Sequence, residues 1–490
     1  DQRDRAEQHP MNTPTIIWIA LPLFIGFSSY LLPRSNRFFA LGMACVSMAY
    51  GLWHIVAPTP LTIELIDNFG VTLVVDGLSG YFVLTNALVT AAVVLYCWQK
   101  NKSKFFYTQT VILHGSVNAV FICADLISLY VALEVIGIAA FLLMAYPRSD
   151  RAIWVGLRYL FVSNTAMLFY LMGAALVYQT TGVFAFTAVQ NAPPAAIALL
   201  MIGLFTKGGI FVSGLWLPLT HAEADTPVSA MLSGAVVKTG VFPLVRLALM
   251  ADNVAPAVQL FSMGTAFLGV TYAIFEKDTK RMLASSTISQ MGFVLANPAV
   301  AGFYALTHGL AKAVLFLLAG NLPSRKFQML QRTPMARWQW LAVTIAALSI
   351  SGMPLLSGFE AKALTVQDLP PTITWVMNLA ALGTAIAFAK FIFLPFQLPD
   401  KSEKRSAQVG FGCAIGLLLG GLVLASGQHL EIYSLSKVLM ALATLATGWA
   451  IYGLWLRRGL PKLPTGIERF EHLIGGMSLM LLLLLGMVAA

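Results

Sequence analysis

The chain has 490 residues, of which 58% are apolar and only 11% are Asp, Glu, Lys or Arg, with a mean hydropathy of +0.77. Soluble proteins carry about 25% charge, so a soluble enzyme is excluded. The formal net charge of +10 does not indicate a nucleic-acid binder, because the basic residues lie singly or in small groups between apolar runs, as the positive-inside rule expects of cytoplasmic loops.

Residues 1–10 form a polar N-terminal extension that is set aside from fold reasoning. The run from Thr15 to Leu32 has spanning length and no A-x-A site after it, so it reads as an uncleaved first span rather than a signal peptide. Spans are expected near 14–33, 38–57 and 77–99, within an N-terminal group over 11–105. The β-prone stretch Val71 to Val75 predicts a surface hairpin before the third of them. A first set of five spans follows within 106–250, near 106–123, 125–146, 152–179, 195–218 and 227–250. A second set of five lies within 256–397, near 256–275, 279–297, 300–321, 338–363 and 374–397. Three more, near 408–427, 435–456 and 471–489, make up a C-terminal group over 408–490. The fold class is therefore an all-α polytopic membrane protein of about 14–16 transmembrane helices. The four cysteines, Cys45, Cys97, Cys123 and Cys413, sit in apolar stretches with no CxxC pair. They read as buried bystander thiols, and no metal or cofactor motif is present.

Alternate loops are basic. Arg34 and Arg37; Lys100, Lys102 and Lys104; Arg148 and Arg151; Lys277, Lys280 and Arg281; Arg325, Lys326, Arg332 and Arg337; Lys401, Lys404 and Arg405; and Arg457, Arg458, Lys462 and Arg469 fall on one side, which is predicted to be cytoplasmic. Glu64, Asp67, Asp76, Asp252, Asp368 and Glu431 fall on the other. Both termini are then predicted on the non-cytoplasmic side. The loop His221 to Asp225 breaks the pattern by being acidic on the basic side.

Topology does not account for Glu134, Lys207, Lys238, Lys312, Lys362 and Lys390, which lie inside apolar segments, or for Glu360 beside Lys362. A charge at a helix centre costs roughly 2.5–3.5 kcal/mol on insertion scales, so these groups are expected to be in use. Lysine suits a proton relay because desolvation moves its pKa toward neutrality and a nearby carboxylate moves it back. Glu134 is the carboxylate deep in the first half, with Lys207 as its natural partner. His308 and Lys312, spaced i and i+4, place two titratable groups on one helix face. Ser285, Ser286, Thr287, Ser289 and Gln290 add polar groups able to hold water, whereas His54 and His114 read as hydrogen-bonded core residues. Arg158, near the start of its span, is expected either to snorkel or to tune Glu134.

Two lysine-bearing spans also carry helix breakers. Lys207 is followed by Gly208 and Gly209, and Lys362 is preceded by Gly352, Pro354 and Gly358. Broken helices at corresponding places in two halves are the sequence sign of inverted repeats with mid-membrane sites. The spacings agree, with 31 residues from Lys207 to Lys238 and 28 from Lys362 to Lys390.

These residues also carry a resemblance. Leu204-Phe-Thr-Lys-Gly-Gly through Trp216-Leu-Pro, then Thr226-Pro-Val-Ser-Ala and Val237-Lys-Thr-Gly-Val, resemble the seventh and eighth helices of the antiporter-like subunits shared by respiratory complex I and Mrp-type cation/proton antiporters. Thr307-His-Gly-Leu-Ala-Lys with Leu315-Phe-Leu-Leu-Ala-Gly, and Leu356-Ser-Gly-Phe-Glu-Ala-Lys, resemble that family's eleventh and twelfth helices, and Leu133-Glu-Val stands where its fifth-helix glutamate belongs. The resemblance implies that 106–250 and 256–397 are two inverted antiporter-like repeats, each with a broken helix. It implies a coupling pair of Glu134 and Lys207, a central relay of Lys238, His308 and Lys312, and an outlet at Lys362, with Lys390, Glu360 and Arg158 as secondary candidates. Lysine in the eighth and twelfth helices resembles the Mrp D-type subunit most. Glu360 departs from the family, which often has a neutral residue there, and the eleven or so residues between the last two spans are too few for the long lateral helix of the largest complex I member.

The function expected is proton translocation through a buried Lys/Glu/His relay in a multisubunit assembly of Mrp type. The alternative is a proton-pumping subunit of a complex I-like NAD(P)H or ferredoxin:quinone oxidoreductase, carbon-uptake variants included, with redox centres held by partners. Other membrane subunits, lipid and protons are the expected partners, with sodium carried through partner subunits and no nucleic acid. The expected location is a bacterial plasma membrane or a thylakoid-like membrane. A self-sufficient sodium carrier would need more oxygen ligands than Glu134 and Glu360 supply, and a scaffold would not need buried lysines.

Overall fold

The computed structural model describes residues 2–32, 34–57, 59–66, 70–397, 409–457 and 468–489. Asp67, Lys401, Lys404, Arg405, Arg458 and Lys462, used above for orientation, lie outside them. Helix dominates because hydrocarbon offers no partner for backbone N–H and C=O groups, which must bond within the segment. α1 (Gln2–Leu31) and α2 (Asn36–Val56) precede the hairpin β1 (Leu61–Ile66) and β2 (Gly70–Val75), and α3 (Gly77–Cys97) completes the first group. The first set of five spans is α4 (Lys104–Val120), α5 (Leu126–Met144), α6 (Asp150–Thr181), α7 (Pro194–Gly208) continued by α8 (Leu217–Glu223), and α9 (Thr226–Met231) continued by α10 (Lys238–Met250). The second is α11 (Ala255–Phe275), α12 (Thr279–Ala296), α13 (Ala301–Ala319), α15 (Arg337–Ser351) continued by α16 (Ser357–Gln367), and α17 (Pro371–Ile392), with the surface turn α14 (Phe327–Leu330) between α13 and α15. α18 (Val409–Ala425), α19 (Leu435–Ile451) and α20 (Phe470–Ala489) follow.

Among the described residues twelve helices are long and apolar enough to cross a membrane. The other four expected spans are helical too. α4 and α18 are 17 residues each, α12 is polar, and α15 with α16 is interrupted. The chain is an integral membrane protein. The expected hairpin is present, with Leu61 opposite Val75 and Ile63 opposite Leu73. Its alternation buries Ile63, Leu73 and Val75, as a half-buried ribbon requires.

The basic loops share one face, because their side chains meet. Arg37 donates to the Trp98 carbonyl, Arg325 pairs with Asp278, and Arg281 pairs with both Glu276 and Glu468. The acidic loop on this face is neutralised from its neighbours: Lys102 pairs with Asp225 at 2.5 Å and Arg151 with Glu223 at 3.8 Å. On the opposite face Asp76 caps α3 by accepting from the Ser79 N–H at 2.9 Å and takes both terminal nitrogens of Arg246, at 2.5 and 2.7 Å. Burial alone would raise the Asp76 carboxyl, but Arg246 and Ser79 outweigh it and hold the group below its ordinary range.

Each set of five carries its interruption in the fourth span, and the two interruptions are built alike. α7 ends on Gly209 at φ +68° and α15 on Gly352 at φ +89°, left-handed caps that suit glycine. In each, the next residue's N–H reaches back five positions, Ile210 to the Phe205 carbonyl at 2.8 Å and Met353 to the Leu348 carbonyl at 3.0 Å. Phe211 and Leu355 follow at positive φ without being glycine, local strain of the kind found at functional breaks. The lysines do not share this symmetry. Lys207 precedes its break on α7, whereas Lys362 follows its break on α16.

Candidate proton relay and relatives

Lys207 lies in the last turn of α7, facing α5 and α6. Its Nζ donates to the Leu133 carbonyl at 3.0 Å. A Cβ on Gly137 would stand 3.2 Å from that Nζ, with Ser163 Oγ and Asn164 Oδ1 just beyond. Glu134 Oε1, Ser163 Oγ and Asn164 Oδ1 are all buried without a hydrogen-bond partner in the protein. The expected pair is thus a neighbourhood rather than a direct ion pair, since the ammonium binds the carbonyl one residue before Glu134. Ordered water commonly serves such unpartnered buried groups.

The backbones of α7 and α10 touch beside both lysines: a Cβ on Gly240 would lie 2.1 Å from the Gly208 nitrogen. Lys238 opens α10 directly after a π-helical turn, Leu232–Val236. That wider turn leaves two carbonyls for the lysine, and Nζ donates to Gly234 at 2.7 Å and Ser233 at 3.2 Å. π turns recur at functional sites. The same Nζ stands 3.2 Å from His308 Nδ1 on α13. One turn on, Lys312 Nζ donates to the Leu283 carbonyl at 2.8 Å and to Ser286 Oγ on α12. Lys238 and Lys312 are both fully buried, and among the described residues no carboxylate pairs with either, so their contacts are to carbonyls, a hydroxyl and the His308 ring.

Toward the acidic face, His308 Nε2 is buried without a protein partner. His308 borders a cavity of about 10 Å³ with Gln290, Tyr304, Ser349 and Gly358, room for about one water. Tyr304 donates to the Gln290 side chain at 2.7 Å, and of the polar residues on α12 Ser286 accepts from the candidate Lys312. Beyond the break in the α15–α16 span, Lys362 has no hydrogen-bond partner and its Nζ faces the Phe293 ring at 5.2 Å. It lines a cavity of about 290 Å³ that reaches Gln367 and Lys437 near the acidic face.

The secondary candidates sit elsewhere. Glu360 does not approach Lys362: its carboxylate accepts from the backbone N–H of Gly427 at 2.6 Å and of His429 at 3.3 Å, and from the Tyr433 hydroxyl at 3.0 Å. Arg158 turns to the basic face and donates to the Glu468 carbonyl, away from Glu134. Lys390 closes α17 on that same face, donating to the carbonyls of Ala273 and Glu276 at 3.0 and 2.8 Å. Cations are favoured at such helix C-termini. His114 is hydrogen-bonded to Thr90, Ser47 and Asn118 as expected, but both ring nitrogens of His54 are buried without partners. Cys97 and Cys123 are buried, whereas Cys45 and Cys413 are exposed.

The model of the NADH:quinone oxidoreductase/Mrp antiporter transmembrane family matches residues 123–387, a stretch that contains Glu134, Lys207, Lys238, His308, Lys312 and Lys362. The chain belongs to this family. NAD(P)H-quinone oxidoreductase chain 4-3 of a Nostoc species is 31% identical over 422 residues, 75% of this chain and 74% of that protein. The D-type subunit of the Na(+)/H(+) antiporter of Alkalihalophilus pseudofirmus is 27% identical over 397 residues, 72% and 80%. Among solved structures, a chain of the Mrp complex from a Dietzia species superposes with a TM-score of 0.76 at 24% identity, covering 95% of this chain and 59% of that one. A chain of respiratory complex I from Thermus thermophilus gives 0.68 at 22% identity, covering 90% and 98%. At these identities the structural likenesses speak for the fold. The antiporter-like fold thus carries three polar groups that the reading of the relay from sequence passed over. His221 is fully buried on α8, with Nε2 unpartnered. Lys280 donates to the Ala224 carbonyl at 3.0 Å, and Ser233 Oγ lies 2.8 Å from Thr287 Oγ1. His221 gave a signal only as a histidine in an acidic loop.

Proposed function

We propose that this chain moves protons across the membrane through Glu134, Lys207, Lys238, His308, Lys312 and Lys362, as a subunit of a multisubunit Mrp-type cation/proton antiporter. The observation that carries this reading is the Lys238–His308 contact at 3.2 Å beside the π turn. Two titratable groups at hydrogen-bond distance, the lysine held otherwise by carbonyls and the far nitrogen of the histidine unpartnered, can pass a proton without a buried counter-charge fixing either of them. In this reading a change at Glu134, close to Lys207, is the signal on which that lysine binds or releases a proton. The Gly208–Gly240 contact brings the next lysine close, and Lys362 stands at a cavity toward the acidic face. We read the basic face as cytoplasmic and both termini as lying on the other side. In this reading the membrane is a bacterial plasma membrane or a thylakoid-like one, and sodium, where carried, passes through partner subunits.

A second reading is favoured by the Nostoc relative. In it the same relay serves a complex I-like quinone oxidoreductase whose redox centres lie on partners. Purification of the intact assembly followed by identification of its subunits tests the two. Small antiporter subunits support the first, a dehydrogenase or quinone module the second, and a chain that transports without partners contradicts both.

A further inference from the structure

The basic face holds a cavity that the relay does not use. It measures about 370 Å³ and lies where α11, α14, α17 and α19 end. Lys277, Arg332, Lys390 and Arg457 converge on it, with Glu276 as its carboxylate. That carboxylate is already engaged: it accepts from the N–H groups of Lys277 and Asp278 at 2.8 and 3.2 Å and pairs with Arg281 at 3.0 Å. Among the described residues Lys277, Arg332 and Arg457 form no ion pair and no side-chain hydrogen bond. Lys390 is 2% exposed and gives two of its three N–H donors to carbonyls, leaving one. Three unpaired cations, with the remaining N–H donor of Lys390, around one engaged carboxylate make an anion site.

The surroundings say which anion. The cavity is at the level where spans end, and Met329 and Leu456 line it beside the cations. Phe393, Leu454 and Trp455 are exposed next to it, as aromatic and apolar side chains are at a membrane interface. A second π turn, Tyr452–Leu456, ends α19 here and sets Tyr452, Leu456 and Arg457 around the cavity. We propose that this cavity seats the phosphate headgroup of an anionic phospholipid of the basic-side leaflet, its acyl chains lying along the apolar rim. Basic pockets between spans on this side bind such headgroups, and the volume falls in the range of small-molecule sites. Another basic cavity, about 140 Å³ around Arg34, Arg37, Lys102 and Lys104, fits less well because three of these four cations are engaged. Lys102 pairs with Asp225, Arg37 donates to the Trp98 carbonyl, and Lys104 lies 3.9 Å from the Tyr30 ring centroid.

The test is native mass spectrometry of the intact assembly, stripped of lipid and titrated with short-chain phosphatidylglycerol, phosphatidylcholine or inorganic phosphate. The wild type should hold phosphatidylglycerol about tenfold more tightly than phosphatidylcholine. Lys277→Gln with Arg332→Gln should abolish that preference, and Arg457→Gln should weaken it, while Arg34→Gln with Lys104→Gln should keep it. Absence of any preference, equal loss in both double variants, displacement of the lipid by inorganic phosphate, or an acidic partner peptide in place of lipid would each overturn the proposal.

Discussion

The Tyr433 hydroxyl donates a 3.0 Å hydrogen bond to the Glu360 carboxylate, and through it α16 is tied to the 427–433 turn that leads into α19. Glu360 is fully buried, and Lys362, two residues on, makes none of these contacts. Hydrogen bonds to a charged group contribute roughly 1.5–3 kcal/mol each, so Glu360 acts as a latch on the wall of the Lys362 cavity. Glu360→Gln should lower the unfolding midpoint and speed hydrogen exchange over 427–433, while the pH profile of proton flux stays where it is. A shifted pH optimum would show that the carboxylate acts on Lys362 after all.

At Lys207, removal of the titratable group should stop flux while the assembly persists. Lys207→Arg should fail nearly as completely, because arginine keeps its proton. Gly137→Ala sets a methyl 3.2 Å from the present Nζ position and should slow flux severalfold without loss of folding. Full flux in Lys207→Arg would mean a fixed structural charge in place of a relay.

The Asp76–Arg246 pair makes a stability prediction. The folded carboxyl lies below its ordinary range, so its contribution is present above the unfolded pKa and is lost as pH falls through the folded one. Thermal unfolding of wild type and Arg246→Met should differ most near neutral pH and converge as pH falls through the lowered range of the folded carboxyl. A gap that widens on acidification would refute the assignment.

The loop charges carry the proposed sidedness. Lys102→Cys and Arg325→Cys should react with an impermeant thiol reagent from the cytoplasmic side and Glu431→Cys from the other, in a background lacking Cys45 and Cys413. Labelling of Lys102→Cys and Glu431→Cys from the same side would break the alternation on which orientation rests.

The spans were legible because twenty-residue apolar runs have few alternatives in a bilayer, and the breaks because Gly208-Gly209 and Gly352 with Pro354 interrupt them. Lys238, His308 and Lys312 stood out as charges or titratable groups that hydrocarbon penalises. What sequence did not disclose depends on distant segments meeting. The partners of Glu360 lie 67 and 73 residues on, at 427 and 433. The Arg158 contact at Glu468 is 310 positions away. The π turn before Lys238 has no compositional mark, and Lys390, put forward for its apolar surroundings and its 28-residue distance from Lys362, caps the end of α11.

The central claim is that a proton crosses by way of Lys238. Proton flux into vesicles containing the assembled complex should fall at least about tenfold in Lys238→Met, in which a side chain of similar length keeps the packing but holds no proton, with the partner subunits still co-purifying. Undiminished flux from that intact assembly would contradict the account.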